Sequence, residues 1–105
     1  MISISTHVLD TGSGDPASGL KVRLERRRGE GWSEANSAVT DDDGRVSDLG
    51  SDLESGVYRL KFDTGGYGNG FYPEVSVTVD LDDSREHYHV PLLLSPYGYS
   101  TYRGS

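Results

Sequence analysis

The chain has 105 residues, a net charge of −7 from 17 acidic against 10 basic residues, and no cysteine. Its length suits one domain, residues 1–105, with one modest core. The acidity argues against nucleic acid, whose phosphates require clustered Lys and Arg, and the lack of cysteine removes disulfides, thiolate nucleophiles and sulfur-ligated metals.

Residues 1–10 alternate, with Ile2, Ile4, Thr6 and Val8 on one side and Ser3, Ser5 and His7 on the other, the pattern of a half-buried strand. Residues 10–19 are turn chemistry. Residues 20–26 alternate again, with Leu20, Val22 and Leu24 inward, and after a break 32–40 form a weak, polar strand around Trp32, Ala35, Ala38 and Val39. The acidic run Asp41-Asp42-Asp43 ends in Gly44, a good turn pair, and 45–49 predict a short or edge strand. Residues 51–56 read as a polar connection. Tyr58, Leu60 and Phe62 mark one face of a strand over 57–64. The glycines of 65–70 exclude a strand interior, and 71–81 resume with Val75, Val77, Val79 and Leu81 inward. A seventh strand over 86–94 and an eighth over 97–102 are separated by Ser95-Pro96.

No segment keeps a helical period, so the prediction is all-β: a two-layer sandwich with little or no helix. No stretch approaches the length of a membrane-spanning helix. The first ten residues lack the basic start and apolar run of a secretory signal, so a cytoplasmic location away from membranes is expected. With 33% hydrophobic residues the core is lean, and oligomerisation is expected to add burial.

Candidate chemistry rests on the three histidines. On pattern alone His7 reads equally as a surface histidine. His87 and His89 share one face of the seventh strand, but Leu93 lies on the same side, so that face is not simply polar. Apolar residues on both faces of a sheet require a cover on both, and a second subunit would supply it, leaving a groove lined by histidines and tyrosines. Two uses stay open. A His-x-His pair with His7 could ligate zinc, a permissive rather than specific spacing. Alternatively one neutral imidazole takes a proton from water while another group stabilises the resulting oxyanion. Arg45 is a candidate for that second role, although on pattern alone an ordinary turn arginine paired with Asp41, Asp42 or Asp43 is the better reading. Arg26-Arg27-Arg28 is the only basic cluster and reads as solvated surface. No serine sits in a nucleophile elbow.

Several motifs in order are shared with a known family. His7-Val8-Leu9-Asp10-Thr11, then Gly14, Pro16-Ala17 and Gly19, then Asp43-Gly44-Arg45, then Phe71-Tyr72-Pro73-Glu74-Val75, and above all the closing stretch HYHVPLLLSPYGYSTYRGS resemble the transthyretin-like family. Tyr102-Arg103-Gly104-Ser105 resembles the signature of its 5-hydroxyisourate hydrolase branch rather than of its hormone carriers. The resemblance implies a sandwich of two four-stranded sheets, assembled as a homotetramer that is a dimer of dimers, with sites in the channel between dimers. It implies hydrolysis of the small molecule 5-hydroxyisourate without metal or cofactor, with His7, Arg45, His89, Tyr102 and Ser105 catalytic and His7, Arg45, Tyr102 and Arg103 binding substrate. The alternative is a hormone-carrier-like protein that binds a small ligand without catalysis. The short helix usual before the Phe-Tyr-Pro-Glu motif is not expected here, because residues 65–70 are short and glycine-rich.

Overall fold

A computed structural model describes all 105 residues. The strand β1 (Ile2–Asp10) is the axis of the larger sheet, and it is paired along both edges. Its first part lies between β5 (Arg45–Leu53), antiparallel, and β8 (His87–His89), parallel. Its last part pairs with the two-residue β2 (Asp15–Pro16) and with β9 (Leu92–Ser95), and β9 carries β10 (Gly98–Thr101) at the edge. The second sheet is antiparallel in the order β4 (Gly31–Val39), β3 (Lys21–Arg28), β6 (Gly56–Phe62), β7 (Val75–Leu81).

The strand alternation read from the sequence is the alternation of burial. Ile2, Ile4 and Val8 of β1 meet Val22, Leu24, Leu60 and Phe62 of the other sheet in one core of 18 buried apolar residues. Burying such a side chain contributes roughly 1.5–3 kcal/mol. The expected two sheets are present, with six and four strands instead of four each. Two local events make the difference. The stub β2 adds a short pairing beside Leu9 and Asp10, and the expected strand over 86–94 is broken at Val90-Pro91 into β8 and β9. Pro91 has no N–H to give to the ladder. At the break the Thr6 hydroxyl donates to the Val90 carbonyl at 2.6 Å and the Val90 N–H donates to Ser5 O at 3.0 Å, so β8 and β9 keep one register along β1.

Two further expectations are corrected. Residues 51–53, read as connection, continue β5, because Leu53 packs against the core and pairs with Ile2. The glycine-rich segment does hold a helical turn, α1 (Thr64–Tyr67). Asp63 caps it by accepting from the Gly66 N–H at 3.0 Å, Thr64 is fully buried with its hydroxyl on Tyr72 O at 2.6 Å, and the Tyr67 hydroxyl donates to Asp10 Oδ2 at 3.0 Å. Capping and tertiary anchoring thus override glycine's low helix propensity. Burial pushes the Asp10 carboxyl up, but the Tyr67 hydroxyl and the N–H groups of Ser13 and Gly12 outweigh it, leaving its pKa below the ordinary value.

The arginine run belongs to the second sheet. Arg26 bonds Glu54 at 3.4 Å and Ser55 O at 3.2 Å. Trp32 carries the guanidinium of Arg59 at 4.2 Å and of Arg27 at 5.2 Å from its ring centre. Such stacking contributes about 0.5–1 kcal/mol at exposed sites and accounts for Trp32, the one aromatic residue of β4.

Candidate active site

Directly paired strand residues project to the same face. On the outer face of the larger sheet this places Ser3, Ser5 and His7 of β1 beside His87 and His89 of β8 and Arg45 of β5. The pairs are Ser3 with His87, Ser5 with His89, and His7 with Arg45. Residues separated by more than eighty positions in the sequence become neighbours here because β1 and β8 are parallel.

The turn before β5 fixes Arg45. Asp41 Oδ1 accepts from the backbone N–H groups of Asp43 and Arg45, both at 2.9 Å. Gly44, at φ +75°, gives its N–H to Asp41 O at 2.9 Å and accepts from the Val8 N–H at 2.7 Å. The turn is thereby sewn to β1, and the Asp43 carbonyl faces His7 Nε2 at 2.9 Å. A carbonyl only accepts, so His7 carries a proton on Nε2. The acidic run engages Arg45 only through its backbone. The three ion pairs of the chain are Arg26–Glu54, Arg59–Glu25 and Lys61–Glu74, and Arg45 is in none of them. Its guanidinium is free at the surface, and the turn-arginine reading does not hold.

An open cavity of about 430 Å³ lies over this face, lined by Ser5, Thr6, Arg45, Ser47, His87, His89 and Ser105. No acidic side chain and no apolar residue lines it. Arg45 is the one permanently charged side chain on its wall, and in a chain of net charge −7 that local positive charge suits a small polar anion. His89 is half-buried, with Nδ1 2.8 Å from Ser5 Oγ. Its pKa is pulled below the ordinary 6.5, first by burial, then by the positive charge of Arg45 and by His7 and His87. The ring is therefore held neutral near neutral pH, the state of a base. No three of the His, Asp and Glu side chains converge as a metal-ligand set.

The chain's last residues close one wall. The Gly104 N–H donates to His89 O at 2.7 Å, and a Cβ on the buried Gly104 would stand 2.8 Å from His89 Cδ2. Only glycine lets the backbone lie against the imidazole. Gly104→Ala is therefore expected to displace the ring and cut turnover by at least about tenfold, since misplacements near 1 Å can cost about a hundredfold, while the melting midpoint changes little. Kinetics beside a thermal melt check this, and wild-type kinetics in the variant would remove the steric role.

Of the residues expected from sequence, Arg45, His89 and Ser105 line the cavity, and His7 stands beside Arg45. Tyr102 and Arg103 do not line it within one chain. They line a groove of about 440 Å³ between the sheets, with Val77, Val79, Tyr88 and Val90. Sequence reading missed Ser5, Thr6 and Ser47 as cavity walls. The β1 alternation had put Ser5 on the His7 face, but only the β1–β8 register brings it to the imidazoles.

Comparison with known proteins shows the family. Residues 4–104 match the HIUase/Transthyretin family. A 5-hydroxyisourate hydrolase of Salmonella typhimurium is 46% identical over 109 residues, covering 97% of this chain and 80% of the relative. The structure of Klebsiella pneumoniae 5-hydroxyisourate hydrolase superposes with a TM-score of 0.89 at 33% identity, covering all of both chains. Sea bream transthyretin in complex with thyroxine superposes as well, with a TM-score of 0.90 at 29% identity over 97% of this chain and 94% of that one. Fold alone does not separate hydrolase from carrier. The chain belongs to the HIUase/Transthyretin family.

Proposed function

We propose that this chain hydrolyses 5-hydroxyisourate, the product of urate oxidation, to 2-oxo-4-hydroxy-4-carboxy-5-ureidoimidazoline. The observation that carries the proposal is the pairing of a neutral-held His89 with the unpaired guanidinium of Arg45 over a cavity free of carboxylate side chains. His89 Nε2 takes a proton from water as the water oxygen bonds to the ring carbonyl carbon. Arg45 stabilises the negative charge growing on the carbonyl oxygen. The ring carbon–nitrogen bond then breaks, the leaving nitrogen receives the proton from His89, and the new carboxylic acid loses its own proton to solvent. His7, held through Nε2, orients the water and substrate beside Arg45, and Ser105 hydrogen-bonds the heterocycle. No metal or cofactor enters these steps.

Tyr102 and Arg103 lie outside the cavity of a single chain, so their contact with substrate requires a site completed by a second copy. A homotetramer built as a dimer of dimers meets that requirement. It also covers the exposed aromatic patch of Phe71, Tyr97 and Tyr99, which is 61%, 82% and 46% exposed. Light scattering should return four times the 11.4 kDa chain mass, and a monomer carrying full activity would refute the shared site. No helix is long and apolar enough to cross a membrane, and a cytoplasmic location is part of the proposal. A carrier of an apolar ligand is disfavoured by a cavity lined by hydroxyl, imidazole and guanidinium side chains and by no apolar residue.

The test is direct: protein added to freshly generated 5-hydroxyisourate should speed its ultraviolet decay far beyond the spontaneous rate, and equal rates would end the proposal. The pH profile adds a signature. The base must be neutral, and its pKa lies below 6.5, so kcat/KM should hold through neutrality and fall only in more acid solution. Arg45→Met removes a positive neighbour, so His89 should titrate higher and the acid limb should move up in pH. An unmoved limb would deny the coupling. The same shift governs stability. Below pH 6.5 the unfolded chain binds a proton that folded His89 refuses, so this contribution to stability is lost as pH falls through that window.

A further inference from the structure

Ser5 and His87 line the cavity but take no part in the steps above. They belong to an unbroken run of close polar contacts along β1 and β8. Ser3 Oγ lies 3.3 Å from Glu86 O and 2.6 Å from His87 Nδ1. His87 Nε2 lies 2.9 Å from Ser5 Oγ, and Ser5 Oγ lies 2.8 Å from His89 Nδ1.

A carbonyl oxygen only accepts. With both imidazoles neutral, all four contacts are hydrogen bonds only if Ser3 donates to Glu86 O. Ser3 Oγ then accepts from His87 Nδ1–H. Neutral His87 is left with an acceptor at Nε2, so Ser5 donates to it. Ser5 Oγ in turn accepts from His89 Nδ1–H, and His89 Nε2 is left bare. Run the other way, the chain forfeits the bond to Glu86 O and puts the proton of His89 on Nε2, where it could not serve as a base. We propose that Ser3, His87 and Ser5 are positioning residues whose hydrogen-bonded chain, anchored on the Glu86 carbonyl, fixes the tautomer and ring orientation of His89 so that Nε2 is the base. A neutral imidazole free in water prefers the opposite tautomer, so the chain works against an intrinsic bias. It also gives the imidazolium formed during turnover a polarised acceptor at Nδ1.

The proposal deepens the hydrolytic reading and rests on it only for its kinetic readout. The tautomer itself is read by nitrogen-15 correlation spectroscopy of histidine-labelled protein at about pH 8, where ordinary imidazoles are neutral. Wild-type His89 should carry its proton on Nδ1. His87 is exposed, so its variants should fold. In His87→Gln a side-chain amide oxygen can still accept from Ser5, and the tautomer and most of kcat should survive. In His87→Phe nothing accepts from Ser5, which is then free to donate to His89. The proton should move to Nε2 and kcat should fall by about tenfold or more, equivalent to about 1.4 kcal/mol, with KM little changed. Ser5→Ala should behave like His87→Phe.

A wild-type His89 protonated on Nε2 overturns the proposal whether or not the protein hydrolyses anything. So do wild-type tautomer and kcat in both His87→Phe and Ser5→Ala. If the tautomers respond as stated while no hydrolysis is found in any variant, the positioning chain stands and the hydrolytic reading falls.

Discussion

His89→Ala should lower turnover of 5-hydroxyisourate by about two to four orders of magnitude, the scale of a positioned acid–base group. Each factor of ten is about 1.4 kcal/mol of transition-state stabilisation, so about 3–6 kcal/mol is assigned to one imidazole. The variant should fold. The backbone of residue 89 still pairs with Ser5 and Gly104, and Ser5 Oγ keeps a partner in His87, so no buried polar atom is orphaned. The loss should fall on kcat, because charge recognition by Arg45 remains. Progress curves on freshly made substrate, with a circular dichroism melt alongside, settle the matter. A folded variant turning over at the wild-type rate removes His89 from the chemistry.

Gly44→Ala should be the most damaging single-methyl change in the chain. Its φ of +75° already disfavours any side chain by roughly 1–2 kcal/mol. A Cβ there would sit 2.4 Å from the Val8 carbonyl oxygen and 3.1 Å from both Ala17 N and Pro16 Cβ. These atoms are backbone or ring and cannot swing aside, and overpacking of this kind costs about 1–3 kcal/mol. The sum, about 2–5 kcal/mol, is a large part of the roughly 5–15 kcal/mol that holds a small domain folded. Because the same turn carries Asp43 O to His7 and presents Arg45, the residual folded protein should also be a poor catalyst. Urea denaturation reads the stability directly. A loss under about 1 kcal/mol would mean that the turn yields by moving away from β1.

The strand pattern was legible because it depends on alternation alone. Ile2, Ile4 and Val8, or Tyr58, Leu60 and Phe62, state their face without reference to any partner. What alternation cannot state is where a strand stops for a reason lying elsewhere in the chain. β5 runs on to Leu53 because Ile2 lies opposite it, and the strand around Val90-Pro91 breaks because proline meets a ladder that needs a donor. The turn at α1 was misread because Asp63 and Thr64 act through the Gly66 N–H and the Tyr72 carbonyl, contacts that local propensity does not contain. In the site, His7, Arg45 and His89 could be named from family motifs. Ser5 could not, since serine on a polar strand face is ordinary until a register sets it between two imidazoles. Tyr102 and Arg103 mark the other limit: they sit beside the motif glycine and serine in sequence, yet face a different groove in a lone chain.

The parallel pairing of the first strand with the late strands has a consequence for biosynthesis. A nascent polypeptide emerging from the ribosome presents residues 2–10 before the rest of the domain, but one flank of that strand stays unpaired until residues 87–95 have cleared the exit tunnel. Through most of translation an apolar strand edge is open to wrong partners, and fast-folding local structure cannot shield it. Slowing elongation should prolong that exposure and raise dependence on chaperones, and moving the first strand to follow the last by circular permutation should shorten it.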